Sequence, residues 1–399
     1  MKIPSTIAAF ILVVIIFISC TISNNSLINI SNFNDSIRQK HVPDKRVAIY
    51  EVAIENANNT LILSGETNQP SVLNILLKKL SNETIDFKNE VTILPNSSVG
   101  NLKFGVINNS VANIRSNSKH SAELVTQSIL GTELNVLKAE GDFYLIQTPD
   151  SYIGWVDHGG LTLMDEQEYS NWKTAKKIIF TNTVGTIFQD KDFSIVLSDV
   201  VLGAQLKVLD ELQNSYKVEF PDKRVGFVEK DASKMYVDWI QALEPSAELI
   251  ENYARSLLGT PYLWGGTSSK GLDCSGFVKT IYLMNGFVIP RDASQQILAG
   301  KTVDENLKFE GLKKGDLMFF GTKATATKKQ RVTHVGIWLG NDKMEFIHES
   351  QRVKLNSMNR TSENYEQSLE ERYLGSKRYL GVQDSLIIDL KLVNESIKL

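Results

Sequence analysis

The stretch GTPYLWGGTSSKGLDCSGFVKTIYLMNGF, residues 259–287, decides how the chain is read. Its first half is rich in glycine, serine and threonine, the composition of a tight loop. Its second half is amphipathic: Cys274, Phe277, Val278 and Ile281 fall at i, i+3, i+4 and i+7, the spacing of a helix that buries one face. Asp273, just before them, is an N-cap residue type. The pattern therefore predicts a helix that begins on a thiol. A thiol at that position faces the positive end of the helix dipole, which is expected to lower its pKa and favour thiolate.

Downstream, LKKGDLMFFG (312–321), THVGIWLG (333–340) and KMEFIHES (343–350) read as strands separated by turns. His334 opens one strand and His348 lies on the next, and the short turn at Gly340–Asp342 lets the two pair antiparallel and bring both imidazoles together. A cysteine at a helix start followed by two histidines on paired strands suits a nucleophile, its base and a residue that orients the base.

The strings YLWGG, LDCSGFV, PRDASQQ, KKGDLMFF, HVGIWLG and FIHES, in that order over about 150 C-terminal residues, resemble the NlpC/P60 family of cell-wall cysteine peptidases. The resemblance implies a papain-like α+β domain at 244–399 that hydrolyses peptide bonds in peptidoglycan stem peptides. It makes Cys274 the nucleophile, His334 the base and His348 the third, polar member. Tyr262 would place its hydroxyl near the developing oxyanion. No cofactor is needed, and the sequence offers no metal-ligand cluster.

Composition bounds the rest. The 399 residues carry 43 Lys+Arg against 46 Asp+Glu, a net charge of -3 that gives no reason to expect nucleic acid as a partner. Two cysteines exclude a disulfide scaffold. Besides Cys274 there is Cys20, which ends an apolar run from Ile7 to Ile18 and follows Ser19. Residues 1–20 resemble a bacterial lipoprotein signal peptide, with Cys20 the lipidated residue. That implies an exported protein of the bacterial cell envelope, held to a membrane by lipid. The Asn/Ser-rich residues 21–42 read as a flexible tether.

Residues 43–97 read as a small α+β segment, with strands at Arg46–Val52, Thr60–Leu63 and Ile85–Leu94 and a helix at Pro70–Leu80. A repeat follows: Leu130–Asp157 aligns without gaps to Leu202–Glu229 at an offset of 72 residues, with ten of 28 positions identical. Short strands and Pro-Asp turns argue for two small all-β barrels, 98–165 and 176–240, and the first copy resembles a bacterial SH3 domain. Tyr152 of the first copy has Arg224 as its counterpart in the second, which marks Tyr152 as a candidate contact residue.

The whole multidomain arrangement, two SH3-like barrels ahead of a papain-like domain, resembles γ-D-glutamyl-L-diamino-acid endopeptidases of the dipeptidyl-peptidase VI type. It implies cleavage between γ-D-Glu and the diamino acid in murein stem peptides that begin with a free L-Ala. The amine would be bound by Asp273, Glu123 and Tyr152, with Ser275 and Ser294 near the substrate. An endopeptidase acting on glycan-attached peptides of intact peptidoglycan is the alternative, and a non-catalytic wall-binding lipoprotein a third.

Overall fold

The computed structural model describes residues 24–397, so the lipidation expected at Cys20 lies outside the described residues. The chain divides into two units, one holding the described residues up to Lys45 together with Ile49–Ile93, the other Arg46–Ala48 together with the chain from Leu94 onward.

In the smaller unit, strands Tyr50–Ala57 and Thr60–Thr67 form a hairpin. Asn58 and Asn59 close it, both at positive φ (52° and 67°), the geometry of a two-residue turn that follows strand twist. Helix Pro70–Asn82 starts on proline and buries Val72, Leu73, Leu76 and Leu80. The third expected strand is two short ones, Phe87–Asn89 and Thr92–Ile93, each parallel to the second hairpin strand. The first strand begins at Tyr50 rather than Arg46. The expected tether holds helix Asn24–His41. Its asparagines and serines hide an apolar stripe: Ile30 and Ile37 are buried and Phe33 lies between them, i, i+3 and i+7 on one face. The buried Asn34 on the same face donates to the Val52 carbonyl at 2.9 Å and accepts the Tyr50 hydroxyl at 2.9 Å.

The larger unit opens with two seven-stranded antiparallel sheets, the first from Phe104 to Met164 and the second from Lys177 to Met235. Numbered along the chain within each sheet, the strands run 7-1-4-5-6-2-3 in both. The repeat is visible in detail. Gly131 and Gly203 both sit at positive φ (84° and 86°), as do Ser151 and Lys223 (66° and 74°). Register shifts recur at Val136/Lys138 and Val208/Asp210.

The remainder is a six-stranded antiparallel sheet with helices packed on it. Strands Leu317–Thr322, Arg331–Trp338, Glu345–Ser350 and Arg352–Ser357 are neighbours in that order. Helix Cys274–Leu283 covers one face, where Phe277, Val278 and Ile281 meet Phe319, Val335, Ile337 and Ile347. The opposite face carries Phe320, Trp338 and Phe346 beside Leu369 of helix Gln367–Arg372. Helices and strands are segregated, an α+β arrangement.

Candidate active site

The helix that begins at Cys274 is capped by Asp273, which accepts the Gly276 main-chain N–H at 2.7 Å. Gly276 makes the approach possible, since a Cβ there would lie 1.9 Å from the Gly266 carbonyl oxygen. The Asp273 carboxylate accepts four further donors: the Gly265 N–H at 3.0 Å, the Ser275 hydroxyl at 3.1 Å, and two N–H groups of Arg291 at 3.1 and 2.6 Å. Arg291 is 1% exposed and also donates to Ser275 Oγ and Thr126 Oγ1. Asp273, expected to bind an amine, is thus saturated by donors of its own chain. Ser275, expected near the substrate, is held between Asp273 and Arg291. Both build the frame beneath the nucleophile.

The Cys274 thiol is buried, and its sulfur accepts the main-chain N–H of Val335, the residue after His334. Burial, and then the Asp273 charge, push the thiol up to about 12 against the pull of Arg291 and two main-chain N–H groups. The depressed thiol expected from the helix dipole is not found, because the helix end is enclosed and already carries a carboxylate.

His334 and His348 do come together. His334 Nε2 lies 2.7 Å from His348 Nδ1, and His348 Nε2 lies 2.9 Å from Asn356 Oδ1. Asn356 in turn donates to the Asn364 carbonyl at 2.9 Å. An amide oxygen only accepts, so His348 carries its proton on Nε2 and accepts on Nδ1. His334 must then donate from Nε2, which leaves Nδ1 as a free base. Gly336 makes room for this: a Cβ there would press within 3.0 Å of the His348 Cβ. Burial holds His334 well below the usual imidazole range, helped by His348, Arg372 and Lys354, and burial pulls His348 down to about 4. These shifts favour the uncharged thiol and the uncharged imidazoles.

Tyr262 is exposed beside this group, and its main-chain N–H donates to the Gln351 carbonyl at 3.0 Å. Burial first, and the Asp273 charge with it, raise its hydroxyl pKa against the pull of Arg291, so it stays protonated and able to donate. Glu349, next to His348, is fully buried, with no hydrogen-bond partner on either carboxylate oxygen among the described residues. Burial, then Asp273, raise it to about 8.

The first seven-stranded sheet docks on this region through Thr126, through Gln127, which accepts the Thr267 N–H at 3.1 Å, and through Asp150, which is 2.5 Å from Lys279. Tyr152 is buried, and its hydroxyl donates to Asp292 Oδ2 at 3.2 Å. The same oxygen accepts Arg46 Nη1 at 2.6 Å, and Arg46 also donates to Ser294 Oγ at 3.0 Å. Glu123 accepts the Trp264 indole N–H at 2.9 Å, two residues beyond Tyr262. In the second sheet Arg224 occupies the turn position of Tyr152 and donates to the Asn108 carbonyl of the first sheet instead.

Sequence reasoning passed over Asp292, Arg291, Glu349 and Asn356. The first two lie inside the PRDASQQ string, a signal that was present, and Glu349 follows His348 directly. Asn356 carries no local signal.

Comparison with known proteins identifies the domains. Residues 259–378 match the NlpC/P60 family and residues 110–162 match the bacterial SH3 domain. A gamma-D-glutamyl-L-lysine dipeptidyl-peptidase of Bacillus cereus is 32% identical over 267 residues, covering 65% of this chain and 76% of the relative. Dipeptidyl-peptidase 6 of Lysinibacillus sphaericus is 27% identical over 272 residues, 65% of this chain and 93% of that protein. The crystal structure of an NlpC/P60 family protein from Bacillus cereus superposes with a TM-score of 0.58 at 26% identity, covering 69% of this chain and 99% of that one. A thiol at a helix start, a histidine pair on adjacent strands and these relatives lead to one conclusion: the chain is a cysteine peptidase that belongs to the NlpC/P60 family.

Proposed function

We propose that the chain hydrolyses the bond between γ-D-Glu and the diamino acid in murein stem peptides that begin with a free L-Ala. The observation that carries this reading is Tyr152. The first sheet delivers its buried hydroxyl onto the Asp292 carboxylate, and Asp292 directly follows Arg291, whose guanidinium holds Asp273 beside Cys274. A carboxylate and a phenol, with Glu123 exposed on the same sheet, form a place for an ammonium group. A cation already sits there, the guanidinium of Arg46. Asp292 thus replaces Asp273 in the proposed amine-binding set, with Glu123, Tyr152 and Ser294. The names of the Bacillus cereus and Lysinibacillus relatives support the same reaction class.

The chemistry starts from an uncharged thiol and an uncharged imidazole. Cys274 Sγ attacks the scissile carbonyl as its proton passes to His334 Nδ1. The oxyanion takes the Cys274 main-chain N–H and the Tyr262 hydroxyl, each donor typically worth ~3 kcal/mol. His334, now imidazolium and braced by His348, gives the proton to the leaving amine. Water then releases the L-Ala-γ-D-Glu acyl group from sulfur, with His334 again as base. We read the C-terminal domain as papain-like and the second sheet as a further SH3-like barrel. Export and lipidation at Cys20 belong to the same proposal; a Cys20→Ser variant that stays in the membrane fraction would remove that part.

The test is incubation with L-Ala-γ-D-Glu-diaminopimelate and with its lysine counterpart, products identified by mass. Release of L-Ala-γ-D-Glu and the free diamino acid is expected, and Cys274→Ala should abolish it. No turnover of either peptide overturns the reading.

A further inference from the structure

A cleft of about 460 Å³ lies between the two seven-stranded sheets, and none of its lining residues belongs to the peptidase region. Strand Leu161–Met164 and helix Glu166–Thr174 form its wall on the side of the first sheet. Strands Gln205–Glu211 and Ser215–Glu219 and the turn 221–223 form the wall on the side of the second. The space equals roughly fifteen waters, the scale of one sugar residue.

The repeat accounts for the second wall. Pro221, Asp222 and Lys223 stand 72 residues after Pro149, Asp150 and Ser151. In the first sheet that turn sets Asp150 against Lys279 and leads into Tyr152, which reaches Asp292. In the second sheet the same turn lines this cleft. On the first wall Glu168, Asn171 and Trp172 fall at i, i+3 and i+4, one face of their helix.

Met164, Trp172 and Pro221 are the buried apolar side chains of the lining. Trp172 is 4% exposed, and its indole N–H has no hydrogen-bond partner among the described residues. A buried donor left unpaired costs free energy, and an acceptor brought into the cleft would relieve it. The charges balance. Lys207 and Lys223 both donate to Glu219 Oε1, at 3.0 and 3.4 Å, and Asp222 is paired with Arg224 at 2.7 Å. With Glu168 on the opposite wall, two lysines face two glutamates and the lining has no net charge. Apolar side chains, one neutral donor and a rim of carboxylate and amide oxygens suit an uncharged ligand that carries a carbonyl, a methyl and hydroxyls.

We propose that this cleft binds an N-acetylated amino sugar. The acetamido carbonyl accepts the Trp172 indole N–H, its methyl lies against Met164 and Pro221, and ring hydroxyls donate to Glu168 and Glu219. No bond is made or broken there, so the site holds a sugar without acting on it.

The experiment is calorimetry of the purified chain with N,N′-diacetylchitobiose and with cellobiose, which has hydroxyls in place of the acetamido groups. The first should bind about tenfold more tightly. Trp172→Phe keeps the ring and loses the donor, and should weaken binding about fivefold while kcat/KM on the peptide substrate stays unchanged. Leu163→Trp fills the cleft and should abolish binding without touching the indole. Affinity should be the same at low salt and at about 0.5 M salt, as an uncharged ligand requires. A glycan strand and a soluble disaccharide both carry the acetamido group. Retention of the chain on glycan strands stripped of peptide assigns the site to the polymer, and disaccharide binding without retention assigns it to soluble fragments; either supports the site. No binding of diacetylchitobiose, equal affinity for cellobiose, or full affinity in Leu163→Trp overturns it. These outcomes do not depend on which peptide the chain cleaves.

Discussion

At the scale of single residues, the site depends on polar groups that no short motif announces. Asn356 fixes the proton on His348 Nε2 and, through it, the orientation of His334. Asn356→Ala should cost about 1 kcal/mol in the transition state, roughly fivefold in kcat, with KM little changed. A steady-state comparison with Asn356→Asp, which keeps the acceptor, checks this. Arg46→Ala removes the cation that competes for Asp292, so KM for free-amine peptides should fall; a rise would place Arg46 inside the substrate site. Glu349 is neutral in the folded chain up to about pH 8, raised by burial and then by Asp273. Its unfolded form ionises near 4.5, so between those values the folded chain holds the extra proton and stability falls as pH rises. Glu349→Gln should therefore raise Tm at pH 8 relative to the parent, with the gain shrinking toward pH 5. An equal shift at both values would contradict the neutral-carboxyl account.

At the scale of elements, the nucleophile helix is bound to its loop by close backbone contact. Gly276→Ala would drive a methyl into the Gly266 carbonyl oxygen. An overpacking cost of about 1–3 kcal/mol and loss of activity are expected, measured by urea unfolding and peptide turnover. This helix was legible because its apolar positions repeat with helical period over a full segment, and the histidine strands because alternation and turns bounded them. Helix Asn24–His41 was not. Asparagine and serine dominate its composition, and its buried stripe is three residues wide with Asn34 inside it. The single strand expected at Ile85–Leu94 is divided because Glu90 and Val91 fall between the two short strands that lie parallel to the hairpin. The Tyr152–Asp292 bond joins positions 140 apart, which periodicity and spacing do not connect.

At the scale of the molecule, the first sheet packs against the nucleophile helix and its loop. Its Asp150 lies against Lys279 of the nucleophile helix, both largely buried. Asp150→Ala leaves a buried ammonium unpaired and should destabilise the chain by about 3 kcal/mol, while Asp150→Ala with Lys279→Met should recover much of the loss. Equal destabilisation in both variants would mean that the pair contributes little. The two sheets share a topology, yet only the first brings a phenol to the peptidase region, so the repeat has diverged in what its turns present. We propose that this sheet makes the enzyme read a free amine. It is tested most directly by kcat/KM for L-Ala-γ-D-Glu-diaminopimelate against the same peptide capped by N-acetylmuramic acid. The capped peptide should be cleaved at least about a hundredfold more slowly, since its amide cannot replace the ammonium at Asp292. Cleavage of both at similar rates would mean that the free amine is not read.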